Sequence, residues 1–346
     1  MHRGQVLVDL CAGTQGPLDP RPVRPNTLFC VFSAGKGVCA TAIHLLVDRG
    51  LVRYDQRLVE FWPEFGVKGK ENTTVRHVLT HSTGLQHAFP DSPTFDNLCD
   101  WESMMATLEG TPPAWPPGSR SSYHYFTFGW LTAGVVEHVS GMTFPQFVRT
   151  QMAVPLGLED SFFMGDLGTM GIPDERIASV EHALPVGIAP GSGESSEGGG
   201  GVSSPVGVGE EEEEEEEGVG RALGMLGEMA KAVKEEDPEE GAALEDLSRK
   251  LRGREYLLDP RVFNYRQMRE ACIPAANGHF TARALATLYD NFLTSMGLSA
   301  GVAAMAREEG GRGDMLEDVS VGIGVADAPP LLSRTRVNEM RAYQVH

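Results

Sequence analysis

The sequence has little of what marks a membrane or secreted protein. No apolar run approaches the roughly 20 residues that a transmembrane helix needs, so we expect no membrane span. The first residues resemble a strand rather than a signal peptide. The cysteines are odd in number and lack paired spacing, which argues against a disulfide framework and favours reduced thiols in an intracellular protein. They are Cys11, Cys30, Cys39, Cys99 and Cys272.

Positive charge is also scarce. The chain has 29 Lys and Arg against 48 Asp and Glu, a net charge of −19, which argues against nucleic-acid binding. Much of the excess lies in residues 187–255, where Gly/Ser repeats precede eight consecutive glutamates. Such a composition cannot bury much apolar surface, so we expect a disordered acidic insert with short helices over 222–233 and 242–251. A solvated loop is the simpler interpretation of its charge, and a site for a basic protein partner is the alternative.

A metal site is not indicated. His77 and His81 have the spacing of the two ligands on a zincin helix, but position 78 is Val where that pattern requires Glu. No third ligand stands out nearby in the sequence. We therefore interpret both histidines as local hydrogen-bonding residues and expect neither a metal nor another cofactor.

Apolar periodicity and turn residues give the order of the secondary structure. We expect one domain over 1–346, interrupted by the acidic insert. The predicted strands are residues 4–12, 27–32 and 319–325. The predicted helices run from Lys36 to about Gly50, from Thr74 to Gly84, from about Phe128 to Gly141, from Phe144 to about Met152, and through Leu285, Leu288 and Phe292.

Ser33 lies where the second predicted strand passes into the first helix, and Lys36 follows one turn later on the same face. This arrangement suits a serine nucleophile, because the start of the helix offers backbone N–H groups and the lysine amine can reach the hydroxyl. The pattern is short, however, and a serine before an apolar run is also a common helix cap. On these residues alone, catalysis and simple capping both remain open.

Several phrases resemble the serine β-lactamase-related superfamily, which includes class C β-lactamases, D-alanyl-D-alanine carboxypeptidases and family VIII esterases. Ser33 to Lys36 matches its Ser-x-x-Lys motif. Residues 74–85 (TVRHVLTHSTGL), Trp115-Pro116-Pro117-Gly118 ahead of Tyr123-His124, and residues 274–279 (PAANGH) are similar to further phrases of the esterase-like branch. The matches fall in the family order.

The resemblance implies an α+β fold of the β-lactamase/transpeptidase type, with an antiparallel sheet flanked by helices and an all-helical lobe. It also implies an acyl-enzyme on Ser33, with Lys36 and Tyr123 moving protons and the Ser33 N–H contributing to an oxyanion hole. Residues His124 and Tyr125, beside the second motif, are expected to bind substrate. Plain aromatic packing is the alternative interpretation of Tyr123.

Two departures from the family pattern shape the functional prediction. Tyr125 stands where the lactamases have Asn, which favours a small ester over a β-lactam or peptide amide as substrate. No Lys-Thr-Gly or His-x-Gly motif follows Gly278, so we expect an incomplete sheet and either a fragment of a longer product or a copy with little activity. The prediction is a serine hydrolase or transesterase; the alternative is a catalytically impaired relative that serves as a binding or regulatory module.

Overall fold

The computed structural model describes residues 1–181 except 3 and 18, residue 234, residues 238–295, residues 331–333 and residue 336. Its helices are α1 Gly35–Asp48, α2 Val75–Leu79, α3 Phe95–Cys99, α4 Trp101–Gly110, α5 Thr127–Ser140, α6 Phe144–Val148, α7 Pro238–Leu251, α8 Arg266–Glu270 and α9 Ala282–Ser295. No helix in these ranges has both the length and the apolar character that a membrane crossing requires.

The strands form two small antiparallel sheets. Strands β1 (Thr14–Gly16) and β2 (Asp19–Pro22) pair with each other. Strands β3 (Phe29–Cys30), β4 (Phe162–Met164) and β5 (Gly278–Phe280) form a second sheet in the order β3-β5-β4. Phe280 of β5 stands opposite both Phe29 and Phe162. The late strand β5 thus joins the segment before Ser33 to the middle of the chain.

The predicted first strand is wrong. Residues 6–12 form no strand, and among the described residues of this segment a single backbone bridge joins His2 and Gln5. The apolar side chains of this stretch are exposed: Val6, Leu7, Val8 and Leu10. Alternation favours a strand only when a partner satisfies its backbone groups, and no described segment pairs with these residues. The second predicted strand is present but shorter, at Phe29–Cys30.

Helices α1 and α5 pack against each other at the centre of the core. Both end as their glycines predict: Gly50, just after α1, has φ +71°, and Gly141, the C-cap of α5, has φ +69°. The fully buried residues of the pair include Val38, Ala42, Ile43, Leu46, Leu131, Val135 and Val136. Because Ser33 immediately precedes α1 and Lys36 lies in its first turn, this core fixes the position of both side chains.

Helix α2 begins where the sequence indicates and ends earlier. The Thr74 hydroxyl accepts the His77 N–H, and the His77 ring accepts the Thr74 N–H, so the two residues form a reciprocal cap. The helix stops at Leu79 rather than at Gly84. The loop that follows, residues 80–91, runs beside Tyr123 and is part of the site's framework. Likewise, α6 ends at Val148 and a π-helical turn continues over Arg149–Ala153.

The C-terminal part of the predicted insert contains α7, which covers the second predicted helix. Leu244 and Leu251 are buried, and the buried Lys250 amine donates to the Phe89 carbonyl at 3.0 Å. Residues 238–251 are therefore folded against the chain, in agreement with the short helix predicted over 242–251, and the helix begins four residues earlier than predicted. The other predicted helix, over 222–233, and the predicted strand over 319–325 lie outside the described residues.

Candidate active site

Ser33 lies on a tight turn between β3 and α1. A 3₁₀ turn, Phe32–Ala34, carries it, and the side chain is exposed. Phe32 has φ +45°, which is unusual for a bulky residue. The segment is anchored because the Val31 N–H donates to the Gly278 carbonyl of β5 at 2.9 Å. Ser33 is therefore presented at the first turn of a helix, where backbone N–H groups have no partner within the helix.

Lys36 is buried beneath the serine. Only 8% of the residue is exposed. Its Nζ donates to Ser33 Oγ at 3.0 Å and to the Ala275 carbonyl at 3.2 Å. The first contact follows from the three-residue spacing along the chain; the second is to a residue that is distant in sequence. Together the two acceptors fix the amine directly beside the serine hydroxyl.

The turn that carries the Ala275 carbonyl is held by Asn277. This side chain is fully buried; its amide donates to the carbonyls of Met268 (2.8 Å) and Ala271 (2.6 Å), and its oxygen accepts the Ile273 N–H (3.2 Å). This turn has no predicted role from the sequence, although residues 274–279 carry part of the family resemblance. The asparagine in the Pro-Ala-Ala-Asn-Gly segment was the available sequence signal for an ordered turn, because an asparagine amide needs several hydrogen-bond partners when it is buried.

Tyr123 approaches the serine from the loop before α5. Its hydroxyl donates to Ser33 Oγ at 3.0 Å, and its ring centroid lies 4.9 Å from Lys36 Nζ. Half of the residue (51%) is exposed to solvent. The structure therefore brings together Ser33, Lys36 and Tyr123, the three residues that the resemblance assigned to catalysis.

The two residues after Tyr123 have different positions. Tyr125 is 57% exposed, and its ring centroid lies 5.5 Å from Lys36 Nζ. Burial of part of the ring, with Tyr123 adding to the effect, raises the pKa of the Tyr125 phenol, so it is neutral near pH 7. The His124 side chain is buried, with Nε2 2.7 Å from Thr83 Oγ1 and Nδ1 2.6 Å from the Ser122 carbonyl. This geometry places Tyr125, and not the His124 ring, on the open side.

The two histidines with zincin spacing do not converge on a metal position. The His77 ring caps α2, and His81 Nδ1 accepts the His124 N–H at 3.1 Å. Within the described ranges, no three His, Cys, Asp or Glu side chains group so that they could hold a metal ion. The interpretation of both residues as local hydrogen-bonding groups agrees with these contacts.

The fold and the serine–lysine–tyrosine cluster together are those of the serine β-lactamase and transpeptidase class. A sequence model of the Beta-lactamase family matches residues 1–343, and the chain belongs to that family. A family VIII carboxylesterase structure superposes with a TM-score of 0.64 at 22% identity, covering 98% of this chain and 68% of that chain. A penicillin-binding protein homologue from Caulobacter crescentus superposes with a TM-score of 0.58 at 25% identity, covering 98% and 67%.

Two curated relatives share shorter stretches. The esterase/β-lactamase LipL of Mycobacterium tuberculosis is 38% identical over 153 residues, 44% of this chain and 35% of LipL. Esterase EstB of Burkholderia gladioli is 29% identical over 197 residues, 52% of this chain and 46% of EstB. The chain thus spans less than half the length of these relatives. The predicted α+β fold of the β-lactamase type is confirmed by the superpositions.

Proposed function

We propose that this chain is a serine hydrolase that forms an acyl-enzyme on Ser33 and acts on a small ester. The observation that supports it best is the position of Ser33 Oγ, 3.0 Å from both Lys36 Nζ and the Tyr123 hydroxyl. A serine hydroxyl is a weak nucleophile until a neighbouring group accepts its proton. Here two candidate proton carriers are within hydrogen-bond reach of the oxygen.

In the acylation step, the half-exposed Tyr123 phenol first loses its proton to solvent, and its oxygen then accepts the Ser33 proton while Oγ bonds to the ester carbonyl carbon. The Lys36 ammonium, 4.9 Å from the ring centroid, stabilises the negative charge of the phenolate. The carbonyl oxygen becomes an oxyanion, which in this proposal accepts a hydrogen bond from the Ser33 N–H. The C–O bond then breaks, and the leaving alcohol takes the proton from Tyr123.

In the deacylation step, Tyr123 removes a proton from water, the resulting hydroxide attacks the acyl carbon, and the proton returns to Ser33 Oγ as the acid leaves. An alcohol in place of water gives a transesterification instead. A second oxyanion donor belongs to the late strand of the third motif, which the sequence lacks in recognisable form. Loss of one such donor typically lowers kcat by about 10²- to 10³-fold.

Tyr125 is the residue that we propose contacts the substrate. Its ring is exposed beside Tyr123, with centroids 6.2 Å apart, so the two aromatic rings line the same opening. An aromatic surface of this kind favours an apolar acyl group. The side-chain amide of an Asn at this place would have offered a donor and an acceptor to a substrate amide. The proposal is therefore an ester substrate rather than a β-lactam.

The wider organisation is also a proposal: one β-lactamase-related domain with an acidic insert over 187–255. Because residues 210–217 are all glutamate, a partner of this insert would be a basic protein. Deletion of residues 191–233 tests this point separately from catalysis, since it leaves α7 in place. Loss of a basic partner with hydrolysis unchanged would support it, and equal binding by both proteins would refute it.

The test of the hydrolase is labelling with a fluorophosphonate together with hydrolysis of a chromogenic short-chain ester. We expect Ser33→Ala to lose both signals and Tyr123→Phe to lower kcat by about 10²- to 10⁴-fold. The exposed Ser92 provides the matched control, since Ser92→Ala removes a serine hydroxyl elsewhere on the surface. Activity that survives in Ser33→Ala would refute the proposal. A folded but inert wild-type protein whose ligand binding is the same in Ser33→Ala would favour the binding module.

A further inference from the structure

His81 accepts hydrogen bonds from the residues on both sides of Tyr123. The His81 carbonyl accepts the Ser122 N–H at 3.0 Å, and the His81 ring accepts the His124 N–H through Nδ1 at 3.1 Å. The two backbone N–H groups that flank Tyr123 are thus both bound to His81. We infer that His81 is a positioning residue that sets the Tyr123 hydroxyl on Ser33 Oγ, an inference that rests on the proposed hydrolase.

The backbone of His81 makes this double contact geometrically accessible. Its φ of +56° is in the left-handed region, which turns the carbonyl and the side chain toward the same neighbouring segment. The same conformation also closes α2: the His81 N–H donates to the Val78 carbonyl at 3.2 Å and the Ser82 N–H to the His77 carbonyl at 2.8 Å, the pattern of a helix that ends through a left-handed residue. His81 therefore connects the end of α2 to the Tyr123 loop.

The His81 ring also contacts the Tyr123 ring directly. Their centroids lie 5.2 Å apart with the planes tilted by 35°. On α5, Phe128 stacks on His81 at 4.5 Å and 27° and so fixes the imidazole plane. The Tyr123 ring thus contacts His81 on one side and the Lys36 amine on α1. This packing gives a positioning role to the imidazole in addition to its hydrogen bond.

His81 can perform this role only while it is neutral. Because Nδ1 accepts a hydrogen bond, the proton of the neutral ring is on Nε2, and a second proton would have to replace the bond to the His124 N–H. The titratable groups that face the ring are Lys36 on α1 and Tyr123 and His124 on the adjoining loop. Burial, together with the Lys36 charge, lowers the pKa of His81 to about 4. The ring is therefore an acceptor throughout the neutral range.

The test compares two variants that both tolerate a positive φ. In His81→Asn, Oδ1 takes the place of the Nδ1 acceptor; in His81→Gly, the acceptor is lost but the backbone is relaxed. We expect His81→Gly to lower kcat for the chromogenic ester about 100-fold, the cost of roughly 1 Å of misplacement, with KM changed less than about threefold. We expect His81→Asn to recover kcat to within about tenfold of wild type.

A readout that does not depend on turnover separates this inference from the proposed function. In protein labelled with 3-fluorotyrosine, the Tyr123 signal is assigned by its loss in Tyr123→Phe; it should shift in His81→Gly and be restored in His81→Asn. If wild type is inert but the signal follows this pattern, the hydrolase fails and the positioning role stands. Unchanged kcat and signal in His81→Gly would overturn the inference. The inference would also be overturned if His81→Asn folds but its kcat is about 100-fold below that of wild type. This second outcome can be measured even if His81→Gly does not fold.

Discussion

Gly129, in the first turn of α5, should be essential to the site although it contacts no substrate. A Cβ added there would lie 2.3 Å from the Ala275 nitrogen and 3.0 Å from the Pro274 carbonyl carbon, whereas ordinary contacts begin at 3.4 Å. Both atoms are backbone, so Gly129→Ala must push the 273–277 turn away by about 1 Å. The Ala275 carbonyl, which accepts Lys36 Nζ at 3.2 Å, moves with it.

Gly129→Ala should therefore lower the rate of ester hydrolysis more strongly than it lowers the stability of the fold. Overpacking costs about 1–3 kcal/mol, and replacing Gly by Ala inside a helix returns about 1 kcal/mol, so the free energy of unfolding should fall by about 0–2 kcal/mol. A shift of about 1 Å in Lys36 should lower kcat for the ester about 100-fold. The measurements are steady-state hydrolysis and unfolding in denaturant.

Gly37, in the first turn of α1, provides the matched control for the same substitution. Its added Cβ would meet the Tyr289 hydroxyl at 2.3 Å, the far end of a side chain that is 44% exposed and can move aside. Gly37→Ala should thus keep kcat within about twofold and gain up to about 1 kcal/mol of helix propensity. If Gly129→Ala is as active as Gly37→Ala, the turn does not position Lys36 and the reasoning is wrong.

Two further predictions concern other parts of the chain. Burial lowers the pKa of His279 to about 4 from 6.5. As the pH falls, the histidine is therefore protonated in the unfolded chain before it is protonated in the folded one. The contribution of neutral His279 to the free energy of unfolding is complete above about pH 6.5 and falls by about 1.4 kcal/mol per pH unit toward pH 4. In His279→Asn, denaturant unfolding between pH 7 and 4.5 should show a shallower slope, and an equal slope would contradict this. Lys250→Ala should increase amide hydrogen exchange in residues 238–251 without affecting hydrolysis, because Lys250 Nζ contacts the Phe89 carbonyl at 3.0 Å and Asp246 at 3.1 Å. Arg249 is an exposed neighbour of the same Asp246, so Arg249→Ala should leave this exchange unchanged. Equal exchange in the two variants would refute the role of Lys250 in docking α7.

The local half of the site could be predicted from the sequence because its contact is local. Ser33 and Lys36 are three residues apart at a strand-to-helix junction, and that spacing alone brings their side chains together. Tyr123 lies 90 residues away, and its 3.0 Å contact with Ser33 was expected only through the family resemblance. Periodicity reports which face of an element is apolar and not which loops meet.

The sequence predictions that failed concern residues whose structure depends on distant partners or on an unusual backbone conformation. Alternating apolar residues over 4–12 predicted a strand, yet pairing is decided by another segment, and the side chains of Val6, Leu7 and Val8 are exposed. The positive φ of Phe32 has no sequence signal, and that of His81 has only a weak one, since histidine enters the left-handed region more often than most residues but far less readily than glycine. The carbonyl of Ala275 could not be found from residue types, because every residue carries one.

Two of the four non-glycine residues with positive φ in the described chain directly border the candidate catalytic cluster. Phe32 precedes Ser33, and His81 binds both sides of Tyr123; such conformations cost about 1–3 kcal/mol each and persist only where packing enforces them. Here the enforcing contacts are visible: Phe32 packs edge-on against Phe263 at 5.6 Å, and His81 stacks on Phe128 at 4.5 Å. Relaxing either turn would move Ser33 or Tyr123 away from the other. Two of these unusual backbone conformations therefore lie at positions that border Ser33 and Tyr123, the proposed nucleophile and base, whose separation acyl transfer would depend on.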